Sequence, residues 1–506
     1  MNNSTLYNLS EKRTEIMGVA MLMVIAYHFA LHFGFYHSPI IVRGDIGVDI
    51  FFFLSGFGCG FSVSKHSPKD FYANRIKRIV PIYFIQKIHD KYVKWVWAYL
   101  LLFIFEGALR KWIAPGLSTP LLMVRTPIVI YMFFIAYRHN WIDNPYAKGL
   151  MVLSIICFFT ALLFGHHNLF IAAFGWHNYF LHFPFIVIAA KILNREDVIK
   201  MGKWILYISV PMTLLIIEQF YSPQTAWVNV GVGGEGSSGF GGAMGYYRPS
   251  GTFAFTSGYT AFESLVCAFL IFFFMDNSNL PKPLKIKKIY LYAIAFCYIL
   301  CLPYSMSRSM VFNTVIIFAF VLLCSTRNMK SLKKIIIASI ALSVVAYVVL
   351  KSGYLGDSMA AISERFDQAG QVEGGLEGTF WDRYIGGFFN SLLMNVPVFG
   401  YGLGIGTNVG AKFINGDMFT IFNAESGFGM TIGETGLFLG LFFIYFRFAW
   451  AINLFKNGLR QRNNTLAVCL LPIMCLTLAT GGIGAVPMMG YLVCVCFLGS
   501  AALKNY

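Results

Sequence analysis

Arg248 closes a polar stretch and is followed within three residues by an apolar run, while Arg308 stands between Ser307 and Ser309 at a junction of two such runs. Arg365 and Arg383 lie in Ser352–Glu425, which carries eight acidic residues against three basic ones in a chain of formal charge +16. That stretch ends in Phe422-Asn423-Ala424-Glu425-Ser426 and enters an apolar run bearing Gly433-Glu434-Thr435-Gly436. An arginine at a low-dielectric boundary is unfavourable unless it meets an anion, and its planar fork suits phosphate. A carboxylate such as Glu425 accepts a proton from a hydroxyl when burial lifts its pKa towards working pH. It can equally orient that hydroxyl, or pair with Arg383. The plainer role for Arg365 and Arg383 is pairing with Glu364, Asp367 or Asp382, and both roles stay open. The positions of Arg248 and Arg308 favour a ligand. Glu434 is a second intramembrane carboxylate or a helix-packing hydrogen-bond acceptor.

The elements that must position these groups follow from composition. Hydrophobic residues make up 57% and charged residues 12%, which excludes a soluble protein of this length and indicates an all-α polytopic membrane protein. Apolar stretches predict about fourteen spans, two before residue 88 (16–34 and 45–63) and twelve after it. The twelve run from 95–109 to 489–503 and include 178–193, 335–351 and 427–446. The first run lacks a small-residue cleavage site and reads as a retained signal anchor. With the N-terminus cytoplasmic, the basic stretches Lys65–Arg78, Arg138–Lys148, Lys282–Lys288, Arg327–Lys334 and Arg447–Arg462 fall inside. Two larger loops, 221–250 and 352–425, fall outside, and Arg110-Lys111 is the one exception to the charge bias. The positive charge therefore reports orientation rather than nucleic acid. All ten cysteines lie in apolar runs, so neither a disulfide framework nor a metal site is indicated. His166, His167, His177 and His182 are expected around one external turn, without the carboxylate or cysteine that a zinc site usually adds. Gly400, Gly402, Gly404 and Gly406 alternate without a following lysine, which points to a tight turn near the membrane surface rather than a phosphate loop.

Residues 1–88 carry Tyr27-His28-Phe29, then Gly47-Val48-Asp49-Ile50-Phe51-Phe52-Phe53-Leu54-Ser55-Gly56-Phe57, then Phe71-Tyr72-Ala73-Asn74-Arg75-Ile76-Lys77-Arg78. On these motifs the segment resembles the N-terminal part of the acyltransferase-3 family of membrane O-acyltransferases. The resemblance implies a role for His28 in acyl transfer, but the pattern stops after two spans. Met17 stands where the family often has an arginine. A vestigial or structural module is therefore expected.

From about residue 95 to 506 the chain is similar to the O-antigen ligase and polymerase superfamily of membrane glycosyltransferases. The carrying residues are Phe105-Glu106-Gly107-Ala108-Leu109-Arg110-Lys111-Trp112, Val124-Arg125-Thr126-Pro127, Trp227-Val228-Asn229-Val230-Gly231-Val232-Gly233-Gly234-Glu235, Arg248-Pro249-Ser250-Gly251-Thr252-Phe253, Ser305-Met306-Ser307-Arg308-Ser309 and Gly400-Tyr401-Gly402-Leu403-Gly404-Ile405-Gly406-Thr407. The resemblance implies a bacterial inner-membrane ligase or polymerase. It would move a polyprenyl-pyrophosphate-linked glycan onto a glycan or lipid acceptor at the outer face of the lipid bilayer, with no cofactor and no metal. Arg248, Arg308, Arg365 and Arg383 would hold the pyrophosphate. In ligases a histidine commonly stands eleven residues before the second glycine of a paired-glycine motif; counting back from Gly436 gives Glu425. Two other readings remain: an O-acyltransferase of surface polysaccharide using His28, and a glycolipid transporter or flippase. The latter should concentrate polar groups near the bilayer midplane.

Overall fold

The computed structural model describes residues 89–234, 241–325, 355–372, 386–407 and 427–504, with isolated positions at 16, 50, 333 and 410. The chain divides into two compact units, Met1–Lys91 and Tyr92–Tyr506. Apart from the opening residues of the first helix, the elements below belong to the second. The protein is an all-α polytopic membrane protein, with ten helices among the described residues long and apolar enough to cross a bilayer. The first eight are α1 (His89–Ile113), α2 (Pro120–Arg138), α3 (Pro145–Leu163), α4 (Leu169–Ile192), α5 (Arg195–Tyr221), α6 (Thr256–Asn279), α7 (Lys282–Tyr304) and α8 (Arg308–Ser325). The long second loop contributes α9 (Gly356–Val372) and α10 (Gly386–Leu392). Then come the span α11 (Gly427–Arg460), the shorter apolar helix α12 (Thr465–Thr480) and the span α13 (Val486–Lys504). The expected spans at 16–34, 45–63 and 335–351 lie outside the described residues, apart from positions 16 and 50.

Asparagines set several helix starts. Asn144 and Asn168 each accept two backbone N–H groups at the openings of α3 and α4. Asn194 forms a reciprocal box with Asp197 at α5, and Asn464 caps α12. The hydropathic window of α6 and that of α13 are each 89% buried, against 22% for α8. The first two are therefore the axis of the bundle and the last faces lipid, where its exposed Val315, Ile316 and Leu323 need no covering.

Two sequence expectations are corrected. The span placed at 178–193 begins at Leu169 and continues through His177 and Asn178 in a π-helical turn, His177–Leu181. The four histidines therefore do not share an external turn. His177 and His182 are buried inside α4, where Thr126 Oγ1 lies 2.6 Å from His177 Nε2 and Tyr99 Oη 3.0 Å from His182 Nδ1. Their imidazoles satisfy hydroxyls of neighbouring helices, so they do not end the span. Likewise Arg447 does not open a cytoplasmic loop, because α11 runs to Arg460. Its buried guanidinium donates to the carbonyls of Leu478 (2.8 Å), Thr477 (3.3 Å) and Gly481 (2.7 Å), which close α12. Orphan carbonyls at a helix C-terminus make a favourable partner for a cation.

α11 is interrupted at Gly436, whose φ of 79° and ψ of 169° leave the helical region. The backbone around the break is paired by the alternating-glycine segment. Tyr401 N donates to Gly433 O (2.9 Å) and Gly402 N to Glu434 O (3.0 Å). The Glu434 carboxylate, fully buried, accepts from Gly404 N (2.7 Å) and Gly406 N (2.9 Å). Gly400, Gly402 and Gly404 all have positive φ, so the segment is the tight turn expected, locked onto a broken helix. His166 closes it from the other side, its Nε2 3.0 Å from Leu403 O. Partial burial holds the His166 imidazole below its ordinary pKa of 6.5.

A side chain at Gly436 would adopt a left-handed conformation and collide with the Val398 carbonyl oxygen. Gly436→Ala is expected to lower stability in detergent by more than about 2 kcal/mol. Gly482→Ala, with open space around it, should leave the unfolding midpoint nearly unchanged. The depressed His166 pKa means that the unfolded chain binds the extra proton first. Its contribution is complete above about pH 6.5 and declines as pH falls below that value. His166→Gln should flatten this part of the stability–pH curve, read by thermal unfolding across the acid range.

Candidate functional site

The helix ends opposite the Lys- and Arg-rich turns Lys282–Lys288 and Arg460–Arg462 carry both long loops, and the candidate site lies there. Its floor is α1 packed against Ser250–Ala254. Gly107 is the contact point, since a Cβ there would meet the backbone of Phe253 and Ala254. Thr252 Oγ1 donates to Ile104 O at 2.6 Å. The end of α1 is a π-helical turn, Leu109–Ile113, which carries Arg110 and Lys111 inward, both buried. Arg110 pairs with Glu106 at 2.7 Å and donates to Ser118 O at 2.8 Å. Lys111 Nζ donates to Ser250 Oγ (2.6 Å) and Gly251 O (3.2 Å). The charge-bias exception is thereby explained: these cations are internal ligands of the loop, not solvated charges at a membrane surface.

Gln219, 1% exposed near the end of α5, organises the same segment. Its Oε1 accepts from Ser250 N (3.2 Å) and Gly251 N (2.8 Å), and its Nε2 donates to Val228 O (2.8 Å). Trp112 stacks on Trp227 and donates to its carbonyl oxygen at 3.0 Å. Four of the sequence motifs singled out above, around Lys111, Trp227, Arg248 and Ser305, thus meet at this end of the bundle. Arg248 lies two residues before the double anchor at Ser250.

An aromatic wall stands beside it. Tyr246 stacks on Phe220 with ring centres 4.4 Å apart, and the Tyr221 and Tyr304 hydroxyls lie 3.2 Å from each other. Asp357, at the start of α9, hydrogen-bonds the Tyr246 phenol and holds its pKa above the ordinary value. Arg308 opens α8 directly after Ser307, whose hydroxyl accepts from Met310 N at 3.4 Å. Gly242 faces Met306, and Phe312 of α8 meets Phe366 of α9 edge-on at 6.3 Å. The segments bearing Arg248, Arg308 and Arg365 therefore pack together at one end of the protein, each arginine partly exposed. Glu425, Arg383 and His28 lie outside the described residues. Glu434 is not part of this wall: its carboxylate faces the glycine turn.

Sequence reasoning missed Lys111 and Gln219 as organisers. The signal for Lys111 was its place as the exception to the charge bias. A single glutamine in an apolar run gave no comparable signal. Chemically, the site joins cationic side chains to tyrosine and tryptophan rings at the membrane boundary, a combination suited to an anionic group carrying a sugar.

No family model, curated protein or solved structure matches the chain.

Replacing Gln219 with Leu would strand the Ser250 and Gly251 amides and the Val228 carbonyl. A loss of about 1–3 kcal/mol is expected for groups left unpaired in a buried setting. Limited proteolysis of the 221–255 connection should speed up in Gln219→Leu while cleavage after the basic turn at Lys282–Lys288 stays unchanged.

Proposed function

We propose that the chain is a membrane glycan ligase or polymerase of the O-antigen type. It would sit in a bacterial inner membrane with its N-terminus in the cytoplasm and the two long loops on the outer face. The donor is an oligosaccharide on a polyprenyl pyrophosphate and the acceptor a glycan or lipid hydroxyl. In the reaction the acceptor oxygen bonds to the anomeric carbon as the bond from that carbon to the pyrophosphate oxygen breaks, and the leaving oxygen keeps the electron pair. Arg248, Arg308 and Arg365, with Arg383, neutralise the pyrophosphate, and Glu425 takes the acceptor proton. The observation that carries this reading is the packing together of three arginine-bearing segments beside an aromatic wall, at the end away from the basic turns.

A second reading, a glycolipid transporter, gains from one feature. α11 is discontinuous at Gly436 and buried polar groups lie within the spans, as in proteins that carry substrates through the membrane. The pairing of the Gly433 and Glu434 carbonyls, and of the Glu434 carboxylate, with amides of the glycine turn favours a locked structure over a moving one.

Turnover of lipid-linked glycan in cells separates the readings. Arg248→Ala and Glu425→Gln are each expected to slow it about a hundredfold, the scale of losing one group that stabilises a transition-state charge, while His28→Ala leaves it intact. Loss of surface acylation in His28→Ala alone, with glycan length unchanged, would instead make the protein an acyltransferase. Movement of lipid-linked glycan across proteoliposomes lacking any acceptor would make it a transporter.

A further inference from the structure

Glu263 sits at the centre of the bundle, on α6, with no exposed surface. Neither of its carboxyl oxygens makes a hydrogen bond of full geometry, and the Tyr259 phenol one turn earlier is the polar group that approaches it. Two other buried oxygens without a full-geometry hydrogen bond lie on the same helix, Thr256 Oγ1 and Tyr259 Oη, the latter between Glu263 and Cys301. The positions 256, 259 and 263 fall within one narrow arc of a helix with 3.6 residues per turn, and they descend about 10 Å from its first residue. That first residue follows the Ser250–Ala254 segment, so the row starts at the end of the bundle bearing the long loops.

We propose that Glu263 is a proton-binding site inside the membrane, exchanging its proton with the loop end of the bundle along the face of α6 that bears Tyr259 and Thr256. This goes beyond the glycan-transferase reading and does not depend on it. An ionised carboxylate with no cation beside it in the bundle interior lacks the compensation a buried charge requires. The side chains that face it supply no opposite charge, and the Tyr259 phenol alone approaches it as a donor. On its own helix these are Tyr259 and Cys267; α7 brings Cys297, Tyr298 and Cys301. From α5 comes Thr213, bonded to Cys301 at 3.2 Å, while α8 adds Thr314 on Tyr298 and Asn313 on Ser264. α12 and α13 bring Cys469 and Tyr491 up to Cys267. No lysine, arginine or histidine is among these groups. A hard alkali or divalent cation also lacks its ligands, since it needs a shell of oxygens and three of the neighbours are thiols. The proton is the one cation that a lone carboxyl can hold without further ligands.

The experiment is infrared spectroscopy of the full chain in proteoliposomes, taken as wild type minus Glu263→Gln over a pH series in H2O and D2O. The subtraction removes the other buried carboxyls described above, Glu106, Asp197 and Glu434. Expected is a carboxylic-acid C=O band at neutral pH that shifts in D2O and disappears reversibly on alkaline titration. Thr256→Val combined with Tyr259→Phe should slow the D2O shift severalfold and leave the band in place. A carboxylate band alone overturns the proposal, as does an acid band that neither shifts nor titrates, or one abolished by sodium at constant pH. Should Glu263→Gln fail to fold, the wild type is treated with a hydrophobic carbodiimide. A protonated buried carboxyl passes its proton to a carbodiimide nitrogen as its oxygen bonds to the central carbon, so peptide mass analysis must find Glu263 modified at neutral pH. An unmodified Glu263 counts against the site.

Discussion

Inside a bilayer a helix can be interrupted only where other protein groups take up the backbone donors and acceptors it releases. The break in α11 at Gly436 depends on this constraint, and much of the surrounding structure answers it. The glycine turn 400–406 pairs with the helix backbone, and Glu434 reaches out to receive two of the turn's own amides. The contact is so close that neither side tolerates a Cβ: Gly400 and Gly436 lie backbone to backbone, and Gly404 rests on Ile171 and Gly175 of α4. The alternating glycines are thus fixed by packing against α4 and α11, and the turn joins the second long loop to the bundle.

A similar economy governs the loop end. Here the chain leaves the membrane through segments that are internally satisfied rather than solvated. Glu106, Arg110, Lys111, Ser250 and Gln219 form a continuous set of buried polar contacts. Because these groups are already used, they set the position of the Arg248 segment instead of serving as a surface of their own. With Arg110 and Lys111 buried in this set, the partly exposed arginines at the loop end among the described residues are Arg248, Arg308 and Arg365.

Much of this was legible in the sequence. Apolar run length gave the all-α membrane class, and the described spans overlap the expected stretches, while α9 and α10 lie within the expected loop 352–425. The glycine alternation announced a turn, and the motifs around Lys111, Trp227, Arg248 and Ser305 prove to be neighbours. Boundaries failed where a polar residue was read as an end. His177 and Asn178 looked like the edge of a span, and Arg447 like the start of a loop, because hydropathy scores a side chain without its partner. In each case the partner is remote in sequence: Thr126 for His177, and the carbonyls closing α12 for Arg447. Glu434 was recognised as an intramembrane carboxylate, but its binding to amides some thirty residues earlier has no local signature. The same holds for Gln219.

Comparing the charged groups inside the bundle gives a physical test of which ones fold the protein. Glu434 meets two backbone amides, Arg447 three carbonyls and Lys111 a hydroxyl and a carbonyl. Each is opposed by groups of the complementary polarity, and each joins two segments that would otherwise leave polar backbone or side-chain atoms unpaired. Their burial is the consequence of a structural task. Glu263 is buried as deeply and joins nothing. A carboxyl that ties no segments together and meets no compensating charge adds little stability in that place, and a glutamine or methionine would fill the volume with less electrostatic penalty. Its presence on one of the two most enclosed spans is therefore better accounted for by something the group does than by something it holds.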